Sequence, residues 1–182
     1  RARCTRALIV HCVGLSLAMV LYAVGLTRAA GVAQLLVVVA AVLIIQPVLA
    51  TVMGRSPRLT TATVAVIAGL LWMLALCAGD AISAAVGAYP RTITLILLPG
   101  FLGAGLLQLI TGVLHHLLPI LTGARPNTAE RTGYARLLLI NLGGVLTLLG
   151  ATVAGLIMMG IGLAANVIAV GRAIYLKKRL ES

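Results

Sequence analysis

Leu106 to Gly123 reads LLQLITGVLHHLLPILTG, an uncharged apolar run that carries the histidine pair His115-His116, then Pro119 and Gly123. Wound as an α-helix at about 1.5 Å per residue, such a run covers most of a bilayer core of about 30 Å. The rest of the chain repeats the pattern. It is 182 residues long, 62% hydrophobic and 9% charged. Soluble domains average about 45–50% apolar and about 25% charged. So little polar surface cannot cover a globule in water. The composition and the charge-free runs define an all-α, polytopic transmembrane protein.

Breaks between apolar runs place the spans at about 7–26, 30–53, 60–79 and 93–122, followed by a block from Leu137 to Val170. The third span is expected to end at Asp80, and Pro99 to kink the first turns of the fourth or mark their start. A polar loop is expected over Arg125–Gly133. As one helix the last block would be about 50 Å long, far more than the core. A hairpin of two helices, about 135–151 and 153–175, turning near Gly150-Ala151-Thr152, fits better. Charge supports that choice. With six spans, Arg28 and Arg91 face one side, and every other Lys and Arg, from Arg1 to Arg179, faces the other. This positive-inside bias places both termini in the cytoplasm of a plasma-membrane protein. The net charge of +11 is then read as orientation and contact with anionic lipid on the cytoplasmic face, not as nucleic-acid binding. The chain opens on Arg1 without a cleavable signal pattern, so it reads as a piece of a longer chain.

Small residues recur four apart at Gly14/Ala18, Ala65/Gly69, Ala151/Gly155 and Gly160/Ala164, a spacing that lets helix backbones approach closely in lipid. Cys4, Cys12 and Cys77 form no disulfide or zinc pattern and read as buried free thiols. Trp72 is mid-span and reads as a packing residue.

Polar groups within a membrane are costly and each needs a reason. The set is His11, Gln34, Gln46, Asp80, Gln108, His115, His116, Asn141 and Asn166. Gln108, Gly112, His115 and Pro119 fall on one helical stripe, which turns His115 inward and His116 about 100° away. A haem b between His11 and His115 or His116 is one reading. Histidines hydrogen-bonded at the headgroup boundary or lining a small polar cavity are another, and a quinone or copper contact a third. Asp80 is expected to be solvated or paired with a cation such as Arg91. The chain has only three acids, Asp80, Glu130 and Glu181, and shows no Walker loop, GxSxG or HExxH, so no catalytic constellation is visible.

Gln108, Gly112, Leu114, Leu117, Leu118, Pro119 and Gly123 form Q-x3-G-x-L-x2-LLP-x3-G, followed by Tyr134-Ala135-Arg136 and Asn141-Leu142-Gly143. Over about 95–150 this resembles the N-terminal membrane region of actinobacterial multicopper oxidase and copper nitrite reductase fusion proteins, itself distantly similar to haem–copper oxidase subunit I. The resemblance implies a many-helix module that precedes secreted cupredoxin domains, anchors them and relays electrons. His115-His116 stand where that family is expected to carry a small polar residue and an aromatic. The cupredoxin copper ligands are absent, so none carries over. The expected functions are therefore a membrane module of a copper oxidoreductase, a haem b electron carrier, or a non-catalytic subunit or transporter half.

Overall fold

The computed structural model describes residues 2–55, 60–88, 91–122 and 132–181. Among them there is no strand. The helices are α1 (Ala2–Ala23), α2 (Thr27–Arg55), α3 (Thr61–Ala85), α4 (Arg91–Gly100), a π-helical segment (Phe101–Leu107), α5 (Gln108–Thr122), α6 (Gly133–Leu148) and α7 (Thr152–Glu181). The π segment joins α4 and α5 without a break, which gives six helical rods among the described residues. Five carry stretches long and apolar enough to cross a membrane, and α6 is a shorter apolar helix.

The sequence reading holds at the hairpin and shifts elsewhere. The final block does turn after Leu148, and α7 starts at Thr152. α7 continues to Glu181, beyond the expected end at 175. α3 runs to Ala85, so Asp80 lies within the helix and not at its end. Pro99 neither starts nor breaks the fourth span: α4 passes through it, and the π segment follows two residues later. A proline removes one backbone donor, and a π turn is a common way for a helix to absorb the mismatch. Most of the expected loop at Arg125–Gly133, together with Tyr89 and Pro90, lies outside the described residues.

The chain forms two compact units. One comprises Arg1–Pro57 with Leu74–Leu97, the other Arg58–Met73 with Leu98–Ser182. Each contains one tight helical hairpin, α1–α2 or α6–α7. The two turns have the same chemistry. Gly25 (φ 79°) donates to Tyr22 O, and Leu26 to Leu21 O. Gly150 (φ 88°) donates to Thr147 O, and Ala151 to Leu146 O. This paired closure satisfies the last carbonyls of the first helix and needs a left-handed residue, which glycine supplies without a Cβ clash.

Both units bring small residues into their helix contacts and leave many large ones exposed. In the first unit Ala18, Ala30, Ala33, Ala40, Ala81 and Ala84 are buried, while Leu8, Ile9, Val13, Val32 and Val39 are exposed. A Cβ on Gly14 would touch Ala33 O and Val37, and one on Gly31 would overlap the backbone of Ala81 and Ala84-Ala85. This inversion of the water-soluble pattern follows from lipid, which offers no gain for hiding leucine but rewards close backbone contact.

In the second unit the core is Ala104, Ile140 and Met159, with Trp72 and Leu163 against it. Gly143 and Gly155 sit against each other's backbone across α6 and α7, and Gly162 rests on Ile140. Gly69 of α3 meets Gly105 O and Leu109, and Gly112 of α5 meets Ala65 and Val66. Two of the expected small pairs, Gly14/Ala18 and Ala65/Gly69, therefore pack as read. Gly160/Ala164 does not: nothing lies within 4 Å of a Cβ on Gly160, and Ala164 is exposed. Gly162, two residues on, faces the neighbour instead. In Ala151/Gly155 only the glycine packs, since Ala151 is exposed. Cys12 is exposed and Cys77 half-buried, so neither is the buried thiol expected from composition.

Candidate functional site

In the second unit, polar side chains gather where the start of α3, the first half of α5, the start of α6 and the later part of α7 meet. Arg136 stands in the first turn of α6 and is only 6% exposed. Its Nε donates to Asn166 Oδ1 on α7 at 2.8 Å, and a terminal nitrogen donates to Thr132 Oγ1 at 2.8 Å. Thr61, at the start of α3, is buried beside Gly133, whose missing Cβ makes room for its side chain. His115 and Thr111 reach the same place from α5. Together with Gly112 and Leu137 these residues enclose about 10 Å³, room for about one water. A second cleft of about 100 Å³ adjoins it, lined by Thr111, Leu114, Asn166, Val167 and Val170. Thr111 and Asn166 belong to both.

One turn deeper, Gln108 is completely buried at the junction of the π segment and α5. Its backbone N–H donates to Gly103 O, a π-type bond. Its side-chain nitrogen is 3.5 Å from Ala65 O, and its Oε1 has no hydrogen-bond partner among the described residues. Deeper still, Trp72 Nε1 donates to Asn141 Oδ1 at 2.7 Å, and Asn141 Nδ2 donates to Leu137 O at 2.7 Å. Trp72 is thus more than filler: its ring packs on the core and its N–H ties α3 to α6.

The first unit holds a separate polar chain. Tyr22 OH donates to Gln34 Oε1 at 3.1 Å, and Gln34 Nε2 donates to Asp80 Oδ2 at 3.0 Å. Asp80 therefore accepts from a neutral amide, and the expected pairing with Arg91 falls on a side chain that is not described.

The sequence-derived candidates divide between the units. His115 lines the polar cavity and His116 is exposed, as the helical stripe requires. His11 lies in the first unit, half-buried, with no hydrogen-bond partner for Nδ1 among the described residues. Gln46 is exposed on α2. Gln108 and Asn141 are packing and tethering groups of the second unit. A haem needs two imidazoles on opposite sides of one iron. His115 and His116 are adjacent on one helix and diverge, and the cavity at His115 holds about one water. Within the second unit these residues do not fit a porphyrin. Among the described residues no three His, Cys, Asp or Glu side chains gather as metal ligands.

Sequence reasoning assigned Arg136 to the boundary cations and left Asn166 unplaced. The only available signal was that Arg136 opens an apolar helix in place of flanking it. Its burial against a residue thirty positions later is a tertiary fact.

The fold and the inverted packing define a polytopic helical membrane protein with one built polar site in its second unit. No family model, curated protein or solved structure matches the chain.

Proposed function

We propose that the chain is the plasma-membrane module of a copper-dependent oxidoreductase system, anchoring its catalytic part and passing electrons toward it. Both termini lie in the cytoplasm, the basic residues contact anionic lipid there, and cupredoxin domains are the partner. One observation carries this reading. The residues that bear the likeness to the copper-oxidase membrane region are the ones on which the second unit is built. Gln108 is buried, Gly112 packs on Ala65 and Val66, Arg136 holds Asn166, Asn141 binds Trp72, and Gly143 packs on Gly155. A likeness made of packing and tethering residues is a likeness of scaffold, which suits an anchoring module better than a catalytic one.

Purification of the native complex from source membranes, with an antibody to the α6–α7 hairpin, tests it. The expected result is a species well above 18.7 kDa, the mass of the 182-residue chain, that carries stoichiometric copper. A copper-free species would overturn the reading. A haem absorption band in that copper-free species would favour the electron carrier instead.

A further inference from the structure

Two helices begin at the polar cavity of the second unit. Thr61 opens α3 and Gly133 opens α6, and both line it. Thr60 caps α3, its Oγ1 accepting from the Thr63 N–H at 3.2 Å. A Cβ on Gly133 would lie 2.5 Å from Thr61 Cγ2, so the two helix starts adjoin. Each start carries about +0.5 charge, from amides that have no partner within the helix.

The full charge at this place is Arg136, in the first turn of α6 and 6% exposed. Its bonds to Asn166 Oδ1 and Thr132 Oγ1 go to neutral oxygens and hold the guanidinium in place. What it gives the cavity is a permanent positive charge. Beside two helix starts, that charge makes the cavity electropositive. Among the described residues no Asp or Glu lines it. The walls also bring donors. Thr61 is 4% exposed, and its hydroxyl can turn into the space. His115 brings an imidazole from α5, which carries at least one N–H. Thr111 differs: its proton goes to Gln108 O at 3.0 Å, so it contributes only bulk.

Size narrows the ligand further. The space is about 10 Å³, room for about one water. A halide ion takes little more room than a water, whereas a phosphate, a sulfate or a carboxylate is too large. Thr61 is also the first residue of a stretch apolar enough to cross a membrane. The cavity therefore stands at the edge of the lipid, where an ion reaches it from water.

We propose that this cavity binds one monatomic anion, chloride in a cell, held by the charge of Arg136, the Thr61 hydroxyl and the adjoining starts of α3 and α6. The bound ion ties α3 to α6. It needs neither copper nor a partner domain.

The test is chloride titration of the purified full chain in phosphatidylcholine nanodiscs, with gluconate keeping the ionic strength fixed. Chlorine NMR line width reports the bound ion, and the thermal midpoint reports its hold on the fold. The expected result is a broadening that saturates and is displaced by bromide, with a midpoint that rises as chloride does. Arg136→Gln should abolish the broadening. Thr61→Val keeps shape and charge and should weaken binding about tenfold, the value of one hydrogen bond to a charged group. Because Arg136→Gln also disturbs Asn166, Thr61→Val with unchanged helical circular dichroism is the variant that decides. With a net charge of +11 the chain also attracts chloride to its surface, but that attraction is diffuse, does not saturate and is indifferent to Thr61. Broadening that never saturates, or that is the same in wild type and Thr61→Val, would overturn the proposal and leave the cavity to water.

Discussion

Trp72 on α3 and Asn141 on α6 are joined by a 2.7 Å hydrogen bond from the indole N–H to the amide oxygen. The bond lies beside Ala104, Ile140 and Met159, the buried apolar cluster of the second unit. It gives the chain's single tryptophan a defined polar partner inside an apolar span. Replacing Asn141 by Leu removes the acceptor and strands the indole donor. Interhelical hydrogen bonds in membranes average about 0.6 kcal/mol and reach about 1.7. Asn141→Leu should therefore lower stability by about 1 kcal/mol and shift Trp72 emission to the blue. An emission spectrum identical to wild type would show that the bond does not form.

The Gly143–Gly155 contact sets how closely α6 and α7 approach. A Cβ on Gly143 would stand 2.6 Å from Gly155 O, and one on Gly155 2.5 Å from Gly143 O. Neither backbone can yield without parting the helices. Gly143→Ala and Gly155→Ala should each cost about 1–3 kcal/mol by overpacking. Gly160→Ala meets nothing within 4 Å and should stay within about 0.5 kcal/mol. Thermal denaturation in detergent compares the three, and equal midpoints would refute the packing.

Gly150 closes the α6–α7 hairpin at φ 88°. Left-handed backbone costs an L-residue about 1–2 kcal/mol, and asparagine tolerates it better than a β-branched residue. Gly150→Val should destabilise by about that amount and Gly150→Asn by clearly less. The ranking, read from the same denaturation curves, is the check.

Asp80 accepts from Gln34 through Oδ2, while its Oδ1 is buried without a partner among the described residues. Asp80→Asn can keep the acceptor and should hold stability near wild type. Asp80→Leu leaves the Gln34 amide donor stranded and should cost about 1 kcal/mol or more. If both variants behave alike, the Gln34 bond carries no weight.

The distribution of cations predicts that the ends of the chain share one compartment. In a chain with Cys4, Cys12 and Cys77 replaced, a cysteine placed ahead of Arg6 and one placed beyond Lys178 should react with an impermeant maleimide from the cytoplasmic side only. Reaction from opposite sides would overturn the six-span threading.

Sequence alone determined that this is a helical membrane protein, and that Leu137–Val170 is a hairpin; the ends of α1, α3 and α7 lie five or six residues from where hydropathy puts them. It also set His115 and His116 on different faces of one helix. Each of these follows from local quantities: the absence of charge over a bilayer's width, a glycine where a helix must reverse, and an angle of about 100° per residue. Tertiary structure alone decided that Arg136 is buried and holds Asn166, that Gln34 binds Asp80, and that Gly162 rather than Gly160 meets its neighbour. Hydropathy says whether a residue can face lipid, but in lipid the hydrophobic effect does not choose which face of a helix turns inward. Close packing of small residues and the pairing of a few polar groups make that choice, and both depend on atoms far apart in the chain.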